Sequence, residues 1–226
     1  GVTGVYDYNR AFGEKYRARP LVKLHEGSSL VDILMTIENY SHYPMELMYM
    51  CHVNFRPVEH GRIVQNVDWT KDNMEVRTVI PEHVKASQAF VDFLAKLEEK
   101  PRLNDIIKPD DEYNPEIAIF IHSPKVDENG WSHYIQVHPD GSADYIRYKP
   151  EELDHNTRWI SRTEDQAGLG LALPATCDPE GYTAEKKKGN IKEIPASSSV
   201  SFSVVTGYLN QEEAKEMEAV INKVVS

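Results

Sequence analysis

The chain has 226 residues, a mass of 25.8 kDa and a formal net charge of −11, from 25 Lys and Arg against 36 Asp and Glu. This length fits one large domain or two small ones, and a hydrophobic content of 40% excludes a globally disordered chain. The acidic balance disfavours general binding to nucleic-acid phosphates, and no apolar run approaches the roughly 20 residues that span a bilayer. We therefore expect neither a nucleic-acid partner nor a membrane partner.

In chain order, most segments have the composition of β-strands. Apolar or alternating runs between turn residues predict strands at residues 29–38, 46–55, 116–122, 131–137, 142–148, 169–173 and 200–208. The tripeptide Pro139-Asp140-Gly141 between two of these runs predicts a hairpin. Gly and Pro separate the strands at intervals typical of a sandwich or barrel. The sequence therefore predicts a mainly all-β protein.

Two segments have helical periodicity. Residues 87–100 repeat apolar side chains at i, i+3, i+4 and i+7 and are followed by Pro101. Residues 210–224 begin with Asn210 as a potential cap and also carry an apolar stripe. We expect both helices to cover the sheet core rather than to bind a partner. The polar stretch 183–190, with three consecutive lysines, is interpreted as a solvated loop.

The remaining global features concern compartment and known motifs. Cys51 and Cys177 form no CxxC pair, so we expect two reduced thiols and a cytoplasmic protein. The chain begins at Gly1 with no signal-peptide pattern and fits a trimmed or partial product. HExxH, P-loop, GxGxxG and GxSxG motifs do not occur, which leaves metalloprotease, NTPase, dinucleotide-binding and hydrolase functions without support. The acidic charge and the covering helices are compatible with a monomer or a homodimer.

The most informative segment runs from residue 48 to residue 57. Because side chains alternate along a strand, His52, Asn54 and Arg56 share one face, and the other face is almost entirely apolar. The polar face combines donors, acceptors and an imidazole that can move a proton near neutral pH. This mixture suits the hydroxyl groups of a sugar. A solvated strand face with a chance histidine is the alternative.

Arginines mark a second candidate segment. If residues 158–165 are extended, Arg158, Arg162 and Glu164 share one face. They form either a surface ion pair of little energetic value or a clamp on an oxygen-rich ligand. Together with Arg56, these arginines are also suited to an anionic sugar such as a phosphate or a uronate.

Two strand ends supply further candidates. The strand at 169–173 breaks at Pro174 into a loop that carries Glu180, and loops at strand ends often carry functional residues. His122 ends another strand, where it can reach a cleft. Five other histidines are expected in turns without a functional role: His25, His42, His60, His83 and His155.

These motifs resemble the aldose 1-epimerase, or galactose mutarotase-like, superfamily and in particular its DUF4432 branch. The resemblance depends on the run Met50-Cys51-His52-Val53-Asn54-Phe55, which follows Ile37-Glu38-Asn39 and a turn. It depends also on residues 170–182 and on the late strand at 200–209. It covers residues 20–210 of the chain.

The resemblance implies an antiparallel β-supersandwich with a few peripheral helices and a sugar cleft on the concave sheet. Enzymes of this family interconvert the α and β anomers of aldoses without a cofactor or a metal. A histidine acts as general acid toward the ring oxygen, and a glutamate acts as general base on the anomeric hydroxyl. By motif, His52 corresponds to the general acid.

The general base has no such match. The family glutamate follows the apolar strand in a Leu-Glu context, where this sequence reads Leu173-Pro174. We expect Glu180 of the same loop to replace it, with Glu185 and Glu164 as alternatives. Family members also have further residues before this region. Residues 1–226 are therefore expected to form a single mutarotase-like domain that lacks an N-terminal portion of the family fold.

Three functions are compatible with the sequence. The first is an aldose 1-epimerase-type isomerase, with His52 and Glu180 catalytic and with substrate-binding residues Asn54, Arg56, Arg162, Glu164 and His122. The second is a non-catalytic carbohydrate-binding protein, which the missing Leu-Glu glutamate favours. The third is a metal-dependent sugar isomerase or lyase, with ligands from His52, His122 or His138. The strand positions of these histidines argue against the third.

Overall fold

The computed structural model describes residues 1–80 and 85–225, so His83, which was expected in a turn, lies outside the described residues. The described residues form fourteen strands and three α-helices. The strands are β1 (Val2–Thr3), β2 (Tyr6–Asn9), β3 (Lys15–Leu24), β4 (Leu30–Asn39), β5 (Met45–Leu47), β6 (Arg62–Gln65), β7 (Met74–Val76), β8 (Ile117–Ile121), β9 (Ser132–Val137), β10 (Ala143–Tyr148), β11 (His155–Arg162), β12 (Ala167–Ala175), β13 (Lys192–Ile194) and β14 (Ser199–Leu209). The helices are α1 (Gln88–Glu99), α2 (Tyr182–Lys188) and α3 (Gln211–Val225), and a short 3-10 helix follows α1 at Pro101–Asn104.

The strands assemble into two main sheets, and their pairs are antiparallel. The large sheet has eight strands in the order β1-β3-β4-β14-β10-β9-β6, with β2 also paired to β3. The small sheet has four strands in the order β12-β11-β8-β7, and β5 pairs with β13 as a separate ribbon. The predicted mainly β, antiparallel architecture with peripheral helices is confirmed.

The core lies between the inner faces of the two sheets. Ile146 and its cross-strand partner Tyr134 from the large sheet belong to the same buried cluster as Ile119 and Ile160 from the small sheet. Helix α1 adds three buried side chains to this cluster: Phe90, Leu94 and Leu97. The predicted helix is capped by Ser87, whose side chain accepts the backbone N–H of Phe90.

Helix α3 covers the opposite face of the large sheet. Its buried residues Ala214 and Ile221 pack on Ile135 and Tyr145, the neighbours in sequence of the inward-facing Tyr134 and Ile146. Strands β9 and β10 are therefore covered on both faces, which explains why they are buried at nearly every position although several of their side chains are polar. Both predicted helices do cover the sheet core.

The strand predicted at residues 46–55 is largely wrong. Regular strand structure ends at Leu47, and the chain beyond it bonds to β12 through two isolated bridges, Met50–Ala175 and Phe55–Leu169. Pro174 has no N–H to donate, and β12 shifts register against β11 nearby, so a continuous ladder cannot form here. The segment nevertheless stays extended enough to keep its alternation of side chains.

The solvated loop predicted at residues 183–190 is also wrong, because this region contains α2. Gly181 before the helix and Gly189 after it have positive φ angles of 89° and 82°, which glycine adopts readily at helix ends. Glu185 on this helix is fully buried. His155, expected in a turn, begins β11 instead.

Two further expectations concern the thiols and the membrane. Cys51 and Cys177 are both unpaired, as predicted, and both are buried, which raises the pKa of each thiol. None of the helices in the described ranges has the length and apolar character needed to cross a lipid bilayer.

Candidate functional site

The outer face of the small sheet, which points away from the core, carries the predicted histidine. Residues 50–56 run along the edge of this sheet beside β12. Cys51 is buried and Val53 packs against the core, whereas the alternate side chains are exposed: His52, Asn54 and Arg56. The predicted polar face therefore exists, and it points outward.

Trp159 on β11 belongs to the same outer face. Its ring centroid lies 5.9 Å from that of the His52 imidazole, with the two planes inclined by 65°. The neighbouring strand carries Gly168 at the place where the indole approaches it, and a Cβ atom there would lie only 2.8 Å from the indole Cζ3. The absence of a side chain at residue 168 therefore lets the half-buried indole lie close against β12, next to the imidazole.

The other end of the indole contacts a carboxylate. The Nε1–H of Trp159 donates to Oε2 of Glu116 at 2.7 Å, and Arg77 donates from Nη2 to Oε1 of the same side chain at 2.9 Å. The Glu116 side chain is 39% exposed, so it is accessible from solvent despite both bonds. An imidazole, an indole and a carboxylate thus follow one another across this face.

Sequence reasoning missed Trp159, Glu116 and Arg77 as site residues. Each lies next to an apolar strand run, and only the pairing of β11 with β8 and of β8 with β7 brings them together. The available signal was the alternation within 116–120, which places Glu116, Ala118 and Phe120 on one face. That alternation could not indicate which strands would be neighbours.

The pair Leu173-Pro174, where the resemblance expects Leu-Glu, supplies no carboxylate to this face. Leu173 pairs with Thr157, which pairs in turn with Phe120, so the three share the outer face. Leu173 is 2% exposed and has no group that can accept a proton. Any carboxylate on the outer face must therefore come from another position.

Glu180 belongs to a charged cluster around Lys188. The Lys188 ammonium lies 3.1 Å from Oδ2 of Asp178, 3.2 Å from Oε2 of Glu180 and 3.0 Å from Oε1 of Glu185, the last outside good hydrogen-bond geometry. Burial alone would raise the pKa of Glu185. The Asn190 amide and the Lys188 ammonium outweigh this effect, so the pKa of Glu185 is below its ordinary value. The expected base Glu180 is thus already paired with a cation.

Among the described residues, three side chains in and beside this cluster lie close enough together to bind a metal ion. One ligand atom each from His155, Asp178 and Glu185 lie within 4.8 Å of one another. A hydrogen bond from the Nδ1–H of His155 to Oδ1 of Asp154, at 2.9 Å, raises the pKa of His155. A divalent cation bound here would have to displace the Lys188 ammonium, which already contacts both carboxylates.

Other predicted residues lie apart from His52. Arg158 is fully buried and faces the core, on the opposite side of the sheet. Glu164 is exposed in the turn after β11 and forms no ion pair with another residue of the described ranges. His122 lies on the outer face beyond β8, with Nε2 at 3.2 Å from Oε2 of Glu75. The expected shared face of Arg158 and Glu164 is therefore not part of the site.

Arg56 and Arg162 line a shared depression of about 440 Å³ at the end of the small sheet, together with Pro57, Val58, Glu59 and Ala167. The Nη2 of Arg162 donates to three backbone carbonyls, those of Lys108, Pro109 and Asp111. Arg56 forms no ion pair with any residue that the structure describes. His52 and Asn54 are not among the lining residues, so the depression adjoins the outer face rather than containing the imidazole.

Residues 1–207 match the family described as "Domain of unknown function (DUF4432)". The chain belongs to the DUF4432 family. No curated protein matches it. The predicted resemblance to this family is confirmed.

Solved structures with the same fold resemble this DUF4432 chain. A provisional aldose 1-epimerase from Klebsiella pneumoniae superposes with a TM-score of 0.77 at 16% identity, covering 99% of this chain and 54% of that protein. A galactose mutarotase-like protein from Clostridium acetobutylicum gives 0.58 at 12% identity, covering 92% and 62%. Slr1438 from Synechocystis gives 0.58 at 14% identity, covering 92% and 61%. This DUF4432 chain therefore has the predicted galactose mutarotase-like fold and spans 54–62% of the length of these proteins.

Proposed function

We propose that this protein binds a sugar or sugar derivative on the outer face of the small sheet and interconverts its anomers by general acid–base catalysis. The observation that carries the proposal is the contact between the His52 imidazole and the half-buried Trp159 indole. The fold supports it, because neighbours with this fold are named as aldose 1-epimerases or mutarotase-like proteins.

The composition of the outer face suits a sugar ligand. Sites for small molecules combine aromatic surface with a few placed polar groups that fix orientation. Trp159 supplies the aromatic surface, and Asn54 and Arg56 supply a neutral and a charged donor on the strand edge beside it. Arg56 would bind either a hydroxyl group or an acidic substituent, because its guanidinium has no ion-pair partner among the described residues.

The proposed reaction needs one acid and one base. His52 donates a proton to the ring oxygen while a carboxylate removes the proton of the anomeric hydroxyl. The bond between the anomeric carbon and the ring oxygen breaks, and an aldehyde forms. Rotation about the C1–C2 bond and the reverse proton transfers close the ring as the other anomer. The reaction is redox-neutral and needs no leaving group.

One observation favours a second function, carbohydrate binding without catalysis. The family Leu-Glu pair reads Leu173-Pro174 here, and the buried Leu173 leaves His52 without a carboxylate directly across the adjacent strand. In that case the outer face would bind sugar anomers without accelerating their exchange.

Anomer exchange measured with the His52→Gln variant tests the proposal. We expect the wild-type protein to accelerate the decay of optical rotation of at least one fresh sugar from a panel of neutral, phosphorylated and acidic aldoses. Loss of the general acid should lower this rate by about 10²–10⁴-fold, the usual contribution of a positioned acid or base.

The matched control is His42→Gln, which changes an exposed histidine outside the outer face. It should exchange anomers at the wild-type rate. Saturable sugar binding with no exchange by the wild-type protein would favour the second function, and neither binding nor exchange across the whole panel would exclude both.

A further inference from the structure

We propose that Glu116 is the general base of the anomer exchange, in place of the glutamate that the family carries on β12. This inference rests on the proposed function, since it names the proton acceptor that His52 would work with. It assigns to the start of β8 a role that neither the motifs nor the resemblance indicated.

The other carboxylates are poorly placed for this task. Glu185 is fully buried, and both it and Glu180 contact the Lys188 ammonium. Glu164 lies in the exposed turn beyond the end of β11. No described contact joins Glu180, Glu185 or Glu164 to the indole, whereas Glu116 is bonded to it and keeps that position despite its own ion pair with Arg77.

Glu116 is connected to His52 through the indole itself. One hydrogen bond of 2.7 Å joins its Oε2 to the indole Nε1–H, and one ring contact of 5.9 Å joins the indole to the imidazole. A sugar ring packed on the exposed part of Trp159 would have the imidazole near one edge and the carboxylate near another. This is the arrangement that simultaneous proton donation and proton removal require.

Glu116 also retains capacity to accept a proton. An ionised carboxylate offers about four acceptor positions, and here Trp159 and Arg77 each donate a single hydrogen bond. The bond from Arg77 fixes Oε1, and the bond from Trp159 fixes Oε2, so the carboxylate is oriented before a ligand arrives. Its 39% exposure leaves the remaining lone pairs accessible.

The proton transfers balance within the pair. Glu116 takes the proton of the anomeric hydroxyl as the bond to the ring oxygen breaks, and His52 gives its proton to the ring oxygen. After rotation about C1–C2, protonated Glu116 returns its proton to the carbonyl oxygen as the ring closes, and His52 recovers its own. The protein therefore ends the cycle in its starting protonation state.

Rates of anomer exchange measured by NMR saturation transfer, as a function of pH, test this assignment in the full-length chain. Glu116→Gln should lose about 10²–10⁴-fold in kcat and lose the acidic limb of the pH–rate profile, because the titrating base is gone. Loss of the acidic limb distinguishes a catalytic role from a structural one, because a purely structural role for Glu116 would leave that limb in place. Glu180→Gln and Glu75→Gln, the second a carboxylate on the same face, are the controls and should retain the wild-type limb.

The outcomes separate this inference from the proposed function. Wild-type exchange that survives in Glu116→Gln within threefold, or a limb that disappears in Glu180→Gln instead, overturns the assignment and leaves the mutarotase function intact. Sugar binding by the wild type without any exchange overturns the assignment and favours the non-catalytic function. Backbone ¹H–¹⁵N resonances of Glu116→Gln that match the wild type away from residue 116 and the Trp159 indole would show that the variant retains its fold.

Discussion

The position of the Trp159 indole depends on the residue beneath it. Gly168 has an ordinary backbone conformation, so its role is spatial: a Cβ would meet Cζ3 at 2.8 Å and Cη2 at 3.3 Å. Real Cβ atoms do not approach other atoms so closely, and the indole would have to move away from β12. Any movement of the ring also changes its contact with His52 and its hydrogen bond to Glu116.

We therefore predict that Gly168→Ala weakens sugar binding about 5–10-fold, in line with the roughly 1–3 kcal/mol cost of overpacking. The indole Nε1–H resonance of Trp159 should shift at the same time. Isothermal titration and a ¹H–¹⁵N spectrum give the two measurements. Gly4→Ala is the matched control, because its nearest contact would be an ordinary 3.7 Å. Unchanged affinity and an unchanged resonance in Gly168→Ala would contradict the role of this glycine.

At the scale of elements, α2 is held to the sheet by charge rather than by apolar packing. Its seven residues include one buried side chain, Glu185, whose Oε2 accepts the backbone N–H of Asp178 at 3.0 Å and the Asn190 amide at 2.8 Å. Lys188 joins three carboxylates and also lies over the Phe120 ring at 5.6 Å. A helix this short is not stable alone, so these contacts determine whether it forms.

We predict that Lys188→Met lowers the free energy of unfolding by about 2–4 kcal/mol, because it leaves the buried carboxylates of Asp178 and Glu185 without a cation. Urea denaturation followed by circular dichroism measures the change. Lys187→Met, one residue earlier and exposed, should change stability by less than about 0.5 kcal/mol. Equal effects of the two substitutions would show that the cluster contributes nothing specific.

The same cluster predicts a loss of stability in acid. The pKa of Glu185 in the folded protein is below its ordinary value of 4.5, so the folded state binds fewer protons than the unfolded state as the pH falls past that value. The stabilisation is therefore fully present above pH 4.5 and is lost as the pH falls through the lowered pKa. Glu185→Gln should show a smaller loss between pH 5 and pH 3 than the wild type, as measured by the same denaturation curves.

At the scale of the whole molecule, a buried cation with no ion-pair partner among the described residues joins the two sheets. Arg158 on β11 is fully buried, and its Nη2 donates to Oε1 of Gln65 on β6 at 2.7 Å. It also donates to the carbonyl of Leu171, while its Nη1 has no hydrogen-bond partner within residues 1–80 and 85–225. Burial lowers the pKa of Arg158 to about 10. The guanidinium therefore bonds the small sheet to the large sheet, but burial of its charge is unfavourable for folding.

We predict that Arg158→Met leaves the free energy of unfolding at pH 7 within about 1 kcal/mol of wild type or raises it, because a buried charge without a counter-ion is costly. The wild type should gain stability relative to Arg158→Met as the pH rises through 10, since the folded state then releases a proton that the unfolded state retains. Denaturation of both proteins between pH 8 and pH 11 measures this difference. A loss above about 3 kcal/mol at pH 7 would mean that the guanidinium is net stabilising.

Local pattern was enough for much of this fold. The alternation in residues 50–56 correctly predicted the exposed face of His52, Asn54 and Arg56, because strand periodicity is a property of consecutive residues. The apolar period and Pro101 likewise predicted α1, and the hairpin between β9 and β10 followed from its turn residues. The failure at α2 has a local cause too, since a helix of seven residues with one buried side chain has little periodicity to detect.

The sequence by itself determined the family, the β-rich architecture and the position of the histidine, because short motifs and periodicity reside in contiguous residues. Only the tertiary structure decided which carboxylate contacts the indole beside that histidine. Glu116 is 43 residues from Trp159 and 39 residues from Arg77, and strand order in an antiparallel sandwich is not encoded in any one strand. Burial of the inner face as a whole determines which strands pair with β8. The pairing of β8 with β11 places Glu116 beside the indole.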